Sequence, residues 1–501
     1  MTTSFPPINY PNKPVPPFSA PAPRNPFPGF YPDMWRNITG KPYITVSSKG
    51  LANGQSEYFN DGADFGPDSL QADGSLTQTY GWQESFNYIA SKGGGSIYFK
   101  AGIYDFTNAP VQTGNNGKNG KVIFPVIAQS DFYGMQGVKF IFETPYWYNN
   151  VQTVEFTPDN VGYGVIIYDN QTVPPSDSDS YAEILFDSPT NETGAHRSMI
   201  QLETEGAIGI YIPLGYVTCI DFGDICGLEG DTFVVATLSP KGNNITSYNS
   251  AGTGVGLSLP SEGVYYPVHI KAINATYFSY AGVYMLSGGV TIDFLQTQAN
   301  SRGVLIANQI APVYIHYWIT LADDYALNIA SSGSGKVAID LILFSNSQYA
   351  LTPTYTFYYQ NGSPTYVDIK TWDVYNDSTF FPTFSGFPAG SIKIPAKALQ
   401  GQSFTPTISA NPPVSGTVYQ NTNPYDIEID LPVYATTSGT AGYVTIAKGA
   451  SSTPTAIGNQ FVSGSTSSTS TDIIKLRVPA GWYYSFTGSG VTFATATPFA
   501  E

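Results

Sequence analysis

Cysteine is almost absent from this chain: Cys219 and Cys226 are the only two among 501 residues. One bridge at most is open to them, and their spacing in CIDFGDIC fits no CxxC metal or redox site. Cysteine behaves as a small hydrophobe, so two buried free thiols are expected. Charge is scarce as well. Asp, Glu, Lys and Arg together make up 12% of the chain, about half the usual share, and only five residues are arginine. The formal charge of −16 repels phosphate backbones, anionic lipid and polyanionic sugars, which argues against nucleic acid as a partner. No apolar run reaches the roughly 18 residues of a membrane span, so no membrane insertion is expected. The opening MTTSFPPINYPNKPVPPF has neither the basic nor the apolar region of a secretory signal, which predicts synthesis in the cytoplasm without a signal peptide. No GxSxG elbow, phosphate loop or zinc spacing occurs, and the sequence implies no cofactor and no metal.

The composition that remains is 42% apolar and 15% aromatic, rich in Gly, Pro, Ser, Thr, Asn and Tyr. Such usage belongs to a folded all-β protein. Sparse charge with abundant hydroxyls would also suit a protein working in acid, where carboxylates lose their charge.

One pattern recurs four times between Val268 and about Thr352. The passages VHIKAINATYFSYAGVYMLSGG, VTIDFLQTQANSRGVLIANQI, VYIHYWITLADDYALNIASSGSGK and VAIDLILFSNSQYALTPT open on Val268, Val290, Val313 and Val337. Each starts with apolar residues at alternate positions, the period of a strand. A second short apolar run follows, and Gly, Ser and Asn fill the turns. A repeat this short cannot bury an apolar face alone and must stack on its neighbours. The predicted fold is all-β: a right-handed parallel β-helix, a single-stranded solenoid, followed by a small antiparallel β-sandwich.

Taken in order, residues 1–45 carry proline at nearly every third or fourth position, interleaved with Phe, Tyr and Trp35. They read as an extended docking arm. Residues 46–394 read as the β-helix, with an amphipathic helix near 83–91 capping its first coil. Trp82, Phe86, Ile89 and Ala90 lie at helical spacing for that job. Insertions at 173–180 and 239–256 mark loops. Residues 395–415 read as a linker, and 416–501, with strands every 8 to 12 residues, as the sandwich.

The stretch FNDGADFGPDS followed by TYGWQESFNYIASKGGGSIYFKAGIYDF resembles the opening of pectin-lyase-like β-helix proteins, including viral tailspikes and polygalacturonases. Phe65 and Gly66 match that family's turn, Gly93 to Gly95 its glycine-rich turn, and Ala101, Gly102 and Tyr104 the end of its PAGxY strand. Lys100 replaces the usual proline. The phrase SGTVYQNTNPYDIEIDLPVYATTSGTAGYVTIAKG resembles C-terminal modules in structural proteins of archaeal viruses. The first resemblance implies the fold. It does not bring the family's catalytic set, since the Asn-Thr-Asp, Gly-His-Gly and Arg-Ile-Lys of polygalacturonases are missing, as is the arginine cluster of pectate lyases.

Catalytic candidates, if the chain is an enzyme, come from the repeat itself. Three positions after each leading valine stand Lys271, Asp293, His316 and Asp340, which should form a ladder on one face. Asp293 and Asp340 would sit two rungs apart, about 9.6 Å at the backbone, near the upper end of the inverting glycosidase separation. Alternating charges on a solvated face account for the same pattern. Asp323 and Asp324 add an adjacent acidic pair. Glycan-binding candidates are aromatic residues beside Asn or Asp: Tyr146, Trp147 and Tyr148 in YWYNN, and Trp372 and Tyr375 in WDVYND. The reading these features favour is a virion surface spike, fibre or turret protein rather than an enzyme. It would recognise a host surface glycan or glycoprotein, dock to other virion proteins through residues 1–45, and form a homo-oligomer, a trimer being one form. The alternatives are a β-helical polysaccharide hydrolase or lyase, with the acidic residues above as its machinery, and a purely structural capsid-associated spike.

Overall fold

The computed structural model describes residues 41–48, 63–126 except 116, 136–143, 164–170, 181–187, 200–212 and 217–237 except 224 and 226. It further describes 254–260, 268–307, 311–330, 335–345, 357–359, 366–375, 384–388, 391–462 apart from 396–397, 400–407, 409 and 424, and 472–500. The expected arm falls almost wholly outside these residues. Its last part does not: Tyr43–Val46 is a strand, paired in parallel with Gly95–Phe99, so the sheet begins inside the segment assigned to the arm.

The expected right-handed parallel β-helix is present. One 14-stranded sheet and one 10-stranded sheet run along it, parallel throughout except for a short antiparallel pair formed by Gln112–Thr113. The valine register follows the repeat. Val268 pairs with Val290, Val290 with Val313, and Val313 with Val337. The column continues through Val138, Leu202 and Leu228 on one side and Val367 on the other. All are buried. Each methyl therefore rests on the one a rung below, which is how a short repeat acquires a core.

Each long strand carries a bend. In Val268–Thr276 the inward residues are Val268 and Ile270, then Ile273 and Ala275, so alternation breaks at Lys271 and Ala272. The same break falls at Asp293 and Phe294 and at His316 and Tyr317. Two successive residues facing outward turn the strand through a corner, and each coil gains a third face from Ala281–Met285 and its equivalents.

The helix Trp82–Ser91 closes the first coil. Trp82, Ser85, Phe86 and Ile89 are buried at the spacing of one helical face. Trp82 stacks on Phe99 at 3.9 Å between centroids and Phe86 on Phe140 at 5.2 Å. Gly81 precedes it at φ 80°, where a side chain would meet the backbone nitrogen of Gly66 at 2.6 Å.

At the other end two four-stranded antiparallel sheets form a sandwich. Val418–Gln420, Tyr483–Ser489, Gly442–Gly449 and Thr455–Val462 make one, and Asp472–Val478, Ile427–Ala435, Val491–Phe493 and Thr497–Ala500 the other. Ile427, Ile429, Leu431 and Val433 alternate inward beside Ile474 and Leu476 of the same sheet, and Val444 and Phe486 of the other sheet join them in the core. Phe384 of a late coil meets Tyr425 edge-on at 6.4 Å, which joins the two cores. Among the described residues no helix is long and apolar enough to cross a membrane. Cys219 is buried and free; Cys226 lies outside the described residues.

Candidate functional site

The corner position carries the charge ladder, and it is longer than the repeat alone suggested. Strand register places Asp231, Lys271, Asp293, His316, Asp340 and Lys370 on successive rungs. Carboxylates alternate along it with lysine or histidine, and several neighbours bind one another. Lys271 Nζ reaches Asp231 at 3.1 Å, His316 Nδ1 reaches Asp340 at 2.7 Å, and Lys370 Nζ reaches the other Asp340 oxygen at 2.6 Å. Asp293 takes His269 Nε2 at 3.0 Å from the adjacent column, with His316 Nε2 at 3.9 Å.

These contacts decide what the ladder carboxylates do. Hydrogen bonds from Lys370 and then His316 hold the Asp340 carboxyl below the usual carboxylate range. An acid so held stays ionised near neutrality and has no proton to give a leaving group. Asp293 and Asp340 thus stand on one face, as the register required, but as partners of His269, His316 and Lys370.

Asp323 and Asp324 are both buried, at 4% and 5% exposure, and neither can reach a substrate on the outer surface. Asp323 has a structural post instead. Its Oδ2 accepts from Thr297 at 2.5 Å and Thr320 at 2.9 Å, and its Oδ1 from the Asn300 backbone at 2.8 Å and side chain at 2.9 Å. Burial still raises its pKa to about 7 against those four donors. The carboxyl braces a corner where Tyr277, Ala299 and Ala322 take positive φ of 68°, 51° and 54° on successive coils, a conformation that side-chain-bearing residues adopt at a cost of about 1 kcal/mol or more.

Trp372 is likewise corrected. Its ring is fully buried in a column with Ile342 and Trp318, and its Nε1 donates to Pro395 O at 2.8 Å. A ring enclosed on both faces offers none to a sugar. Tyr146, Trp147 and Tyr148 lie outside the described residues, as does the side chain of Tyr375, whose backbone ends the strand Tyr366–Tyr375.

The exposed aromatic on the ladder face is one that sequence reading passed over. Tyr314, 44% exposed, stands beside His316 on the outward side of its strand, between Thr291 and Ala338 on the flanking rungs. Both neighbours are smaller, so they leave the ring standing clear. Tyr366, 54% exposed, lies two rungs on. Across the corner, Phe294 and Tyr317 pack edge-to-face at 5.5 Å. Period-2 alternation in VYIHYW was the signal available, since it turns Tyr314 outward whenever Val313 turns inward.

A second group was also missed, nearer the start of the solenoid. Lys139 Nζ lies 2.9 Å from Glu203 and 2.7 Å from Glu205, and Glu203 pairs with Glu229 across adjacent strands. Burial raises the Glu203 carboxyl above its ordinary range, Lys139 opposes this, and Glu229 and Glu205 add to it. Among the described residues no cluster of three or more His, Cys, Asp or Glu side chains could hold a metal ion.

No protein family's sequence profile matches the chain, and no curated protein matches it. Among solved structures the chain is similar to the enzymatically active domain of tailspike protein 4 from bacteriophage CBA120. That similarity is at 10% identity with a TM-score of 0.25, covering 84% of this chain and 67% of the other.

Proposed function

We propose that this protein is a surface spike of a virus particle that binds a host-surface glycan along the corner face of its β-helix. The observation that carries the reading is the placement of Tyr314. An exposed ring in a row of polar groups that already bind one another suits an uncharged or weakly charged sugar: the ring covers the apolar face of the pyranose, and paired side chains keep spare donors and acceptors for hydroxyls. The residues before Tyr43 are the proposed attachment to the particle. The ladder carboxylates of this face are held by lysine and histidine side chains, which favours holding a polysaccharide over cutting it.

Purified protein titrated with host-surface polysaccharide tests this. Tyr314→Ala should weaken binding about tenfold or more, a loss near 1.4 kcal/mol, while the paired change Asp293→Asn and Asp340→Asn should leave it within about twofold, since amides retain hydrogen bonds. Unchanged binding by Tyr314→Ala would remove the site.

Hydrolysis stays a second reading because of Glu203 and Glu229. Their strands are neighbours, about 4.8 Å apart at the backbone, a spacing that lets two carboxyls approach the roughly 5–5.5 Å of retaining glycosidases, and burial pushes the Glu203 carboxyl above its ordinary range. Release of oligosaccharide by the wild type, lost in Glu203→Gln, would establish it; intact polysaccharide after incubation would dismiss it.

A further inference from the structure

The first coils enclose a charged cluster that neither the ladder nor the glycan reading uses. Lys121 lies on the strand Asn119–Phe124, Glu183 on the adjacent strand Tyr181–Phe186, and Asp169 just after Val165–Tyr168. Register sets Lys121 beside Glu183, between the pairs Gly120–Ala182 and Val122–Ile184. Lys121 Nζ is 2.7 Å from Asp169 Oδ2, and the two side chains are 1% and 0% exposed. Glu183 is 0% exposed. Nζ also donates to Phe106 O at 2.7 Å and lies 5.4 Å from the centre of the Tyr181 ring, whose hydroxyl donates to Asp169 Oδ2 at 2.9 Å.

Two carboxyls and one ammonium leave an excess of negative charge among side chains closed to the surface. Both oxygens of Glu183 and the Oδ1 of Asp169 have no donor. One proton on Glu183 satisfies the arrangement, because the acid then donates to Asp169. Burial first, then the Asp169 charge, pushes Glu183 well above the ordinary carboxylic range, which keeps that proton in place near neutrality. Burying an ion pair is costly. A reaction that removes both charges relieves that cost.

We propose that Lys121 and Asp169 join in an intramolecular amide bond, formed by the folded chain itself with Glu183 as proton carrier. At the C–O···N angle of roughly 120° usual for a carboxylate acceptor, an oxygen 2.7 Å from Nζ puts the nitrogen about 3.5 Å from the carbon bonded to it, the range of near-attack geometries. The Lys121 ammonium passes a proton to the Asp169 carboxylate, giving a neutral amine and a neutral acid. The nitrogen lone pair attacks Cγ, and the carbonyl π pair moves to its oxygen. Glu183 takes a proton from the nitrogen and returns its own to the hydroxyl oxygen of the tetrahedral intermediate. That oxygen leaves as water, the carbonyl re-forms, and Glu183 ends as it began. One C–N bond forms, one C–O bond breaks, and nothing is oxidised or reduced. The bond ties the third face of the first coils to the corner beyond Tyr168, a staple near the capped end of the shaft.

Mass spectrometry of the denatured full-length protein tests it. The wild type should be lighter than its sequence by one water, and chymotrypsin should yield a branched peptide joining residues 107–124 to 169–181. Lys121→Arg keeps the positive charge and Glu183→Gln the shape; both should show the full mass and linear peptides. Folding of each variant is checked by circular dichroism, and a variant that fails to fold leaves the wild-type branched peptide decisive. Full mass and only linear peptides from folded wild type overturn the proposal, leaving an ion pair. A branched peptide in folded Glu183→Gln at wild-type yield overturns the role of Glu183.

Discussion

His316 Nδ1 lies 2.7 Å from Asp340 Oδ2, and the other oxygen of the same carboxylate is held by Lys370. One aspartate thus joins three rungs of the solenoid corner. The pairing explains how a strongly acidic chain can stack carboxylates at this spacing, since each is separated from the next by a lysine or a histidine side chain.

Asp340 should matter to stability only modestly and only above acid pH. Its pKa falls on folding, so its contribution is present above the ordinary aspartate value near 4 and is lost as pH falls through the lower folded value. Its side chain is 39% exposed, and solvent screening limits the effect to about 1 kcal/mol or less. Denaturant unfolding of Asp340→Asn should show that small loss at pH 7 and none at the acid end. A loss that grows on acidification would contradict the ladder's role.

Asp323 should behave in the opposite sense. Its folded pKa is raised to about 7, so the stabilisation is fully present below the unfolded value near 4 and disappears as pH rises to about 7. The wild type should therefore lose stability between pH 4 and 7 relative to Asp323→Asn, by an amount on the order of a few kcal/mol. Parallel stability-against-pH curves for the two proteins would refute the assignment.

Two of the three buried tryptophans among the described residues, Trp82 in the first coil and Trp318 further along the shaft, should differ. Trp318 Nε1 donates to Thr297 Oγ1 at 3.0 Å, whereas Trp82 Nε1 has no acceptor. Trp318→Phe should cost about 1 kcal/mol more than Trp82→Phe, the net worth of one buried hydrogen bond. Equal losses in calorimetry would mean that ring volume alone decides.

Gly303 fills the space left beside the Asp323 brace. A methyl there would sit 2.8 Å from both Asp323 Oδ2 and Thr297 Oγ1, and 2.9 Å from Ala326 O. Gly303→Ala should destabilise by about 1–3 kcal/mol, the usual cost of overpacking. A neutral result would show that the corner can relax outward.

Val268, Val290, Val313 and Val337 stand at steps short enough for one coil each and head alternating runs, so the sequence by itself determined a parallel solenoid, its register and a helix placed to cover its first coil. The ladder was legible for the same reason: a fixed offset from a stacked valine is a fixed place on the surface. Only the tertiary structure decided which carboxylates meet water. Asp323 sits after a strand, where alternation gives no instruction, and the positive-φ corner turns it inward; Trp372 belongs to an inward column that its Asp and Asn neighbours disguise. The meeting of Lys121, Asp169 and Glu183 was out of reach altogether. Those residues come from three separate segments of the sequence, and their contact exists only because the coils bring those segments together.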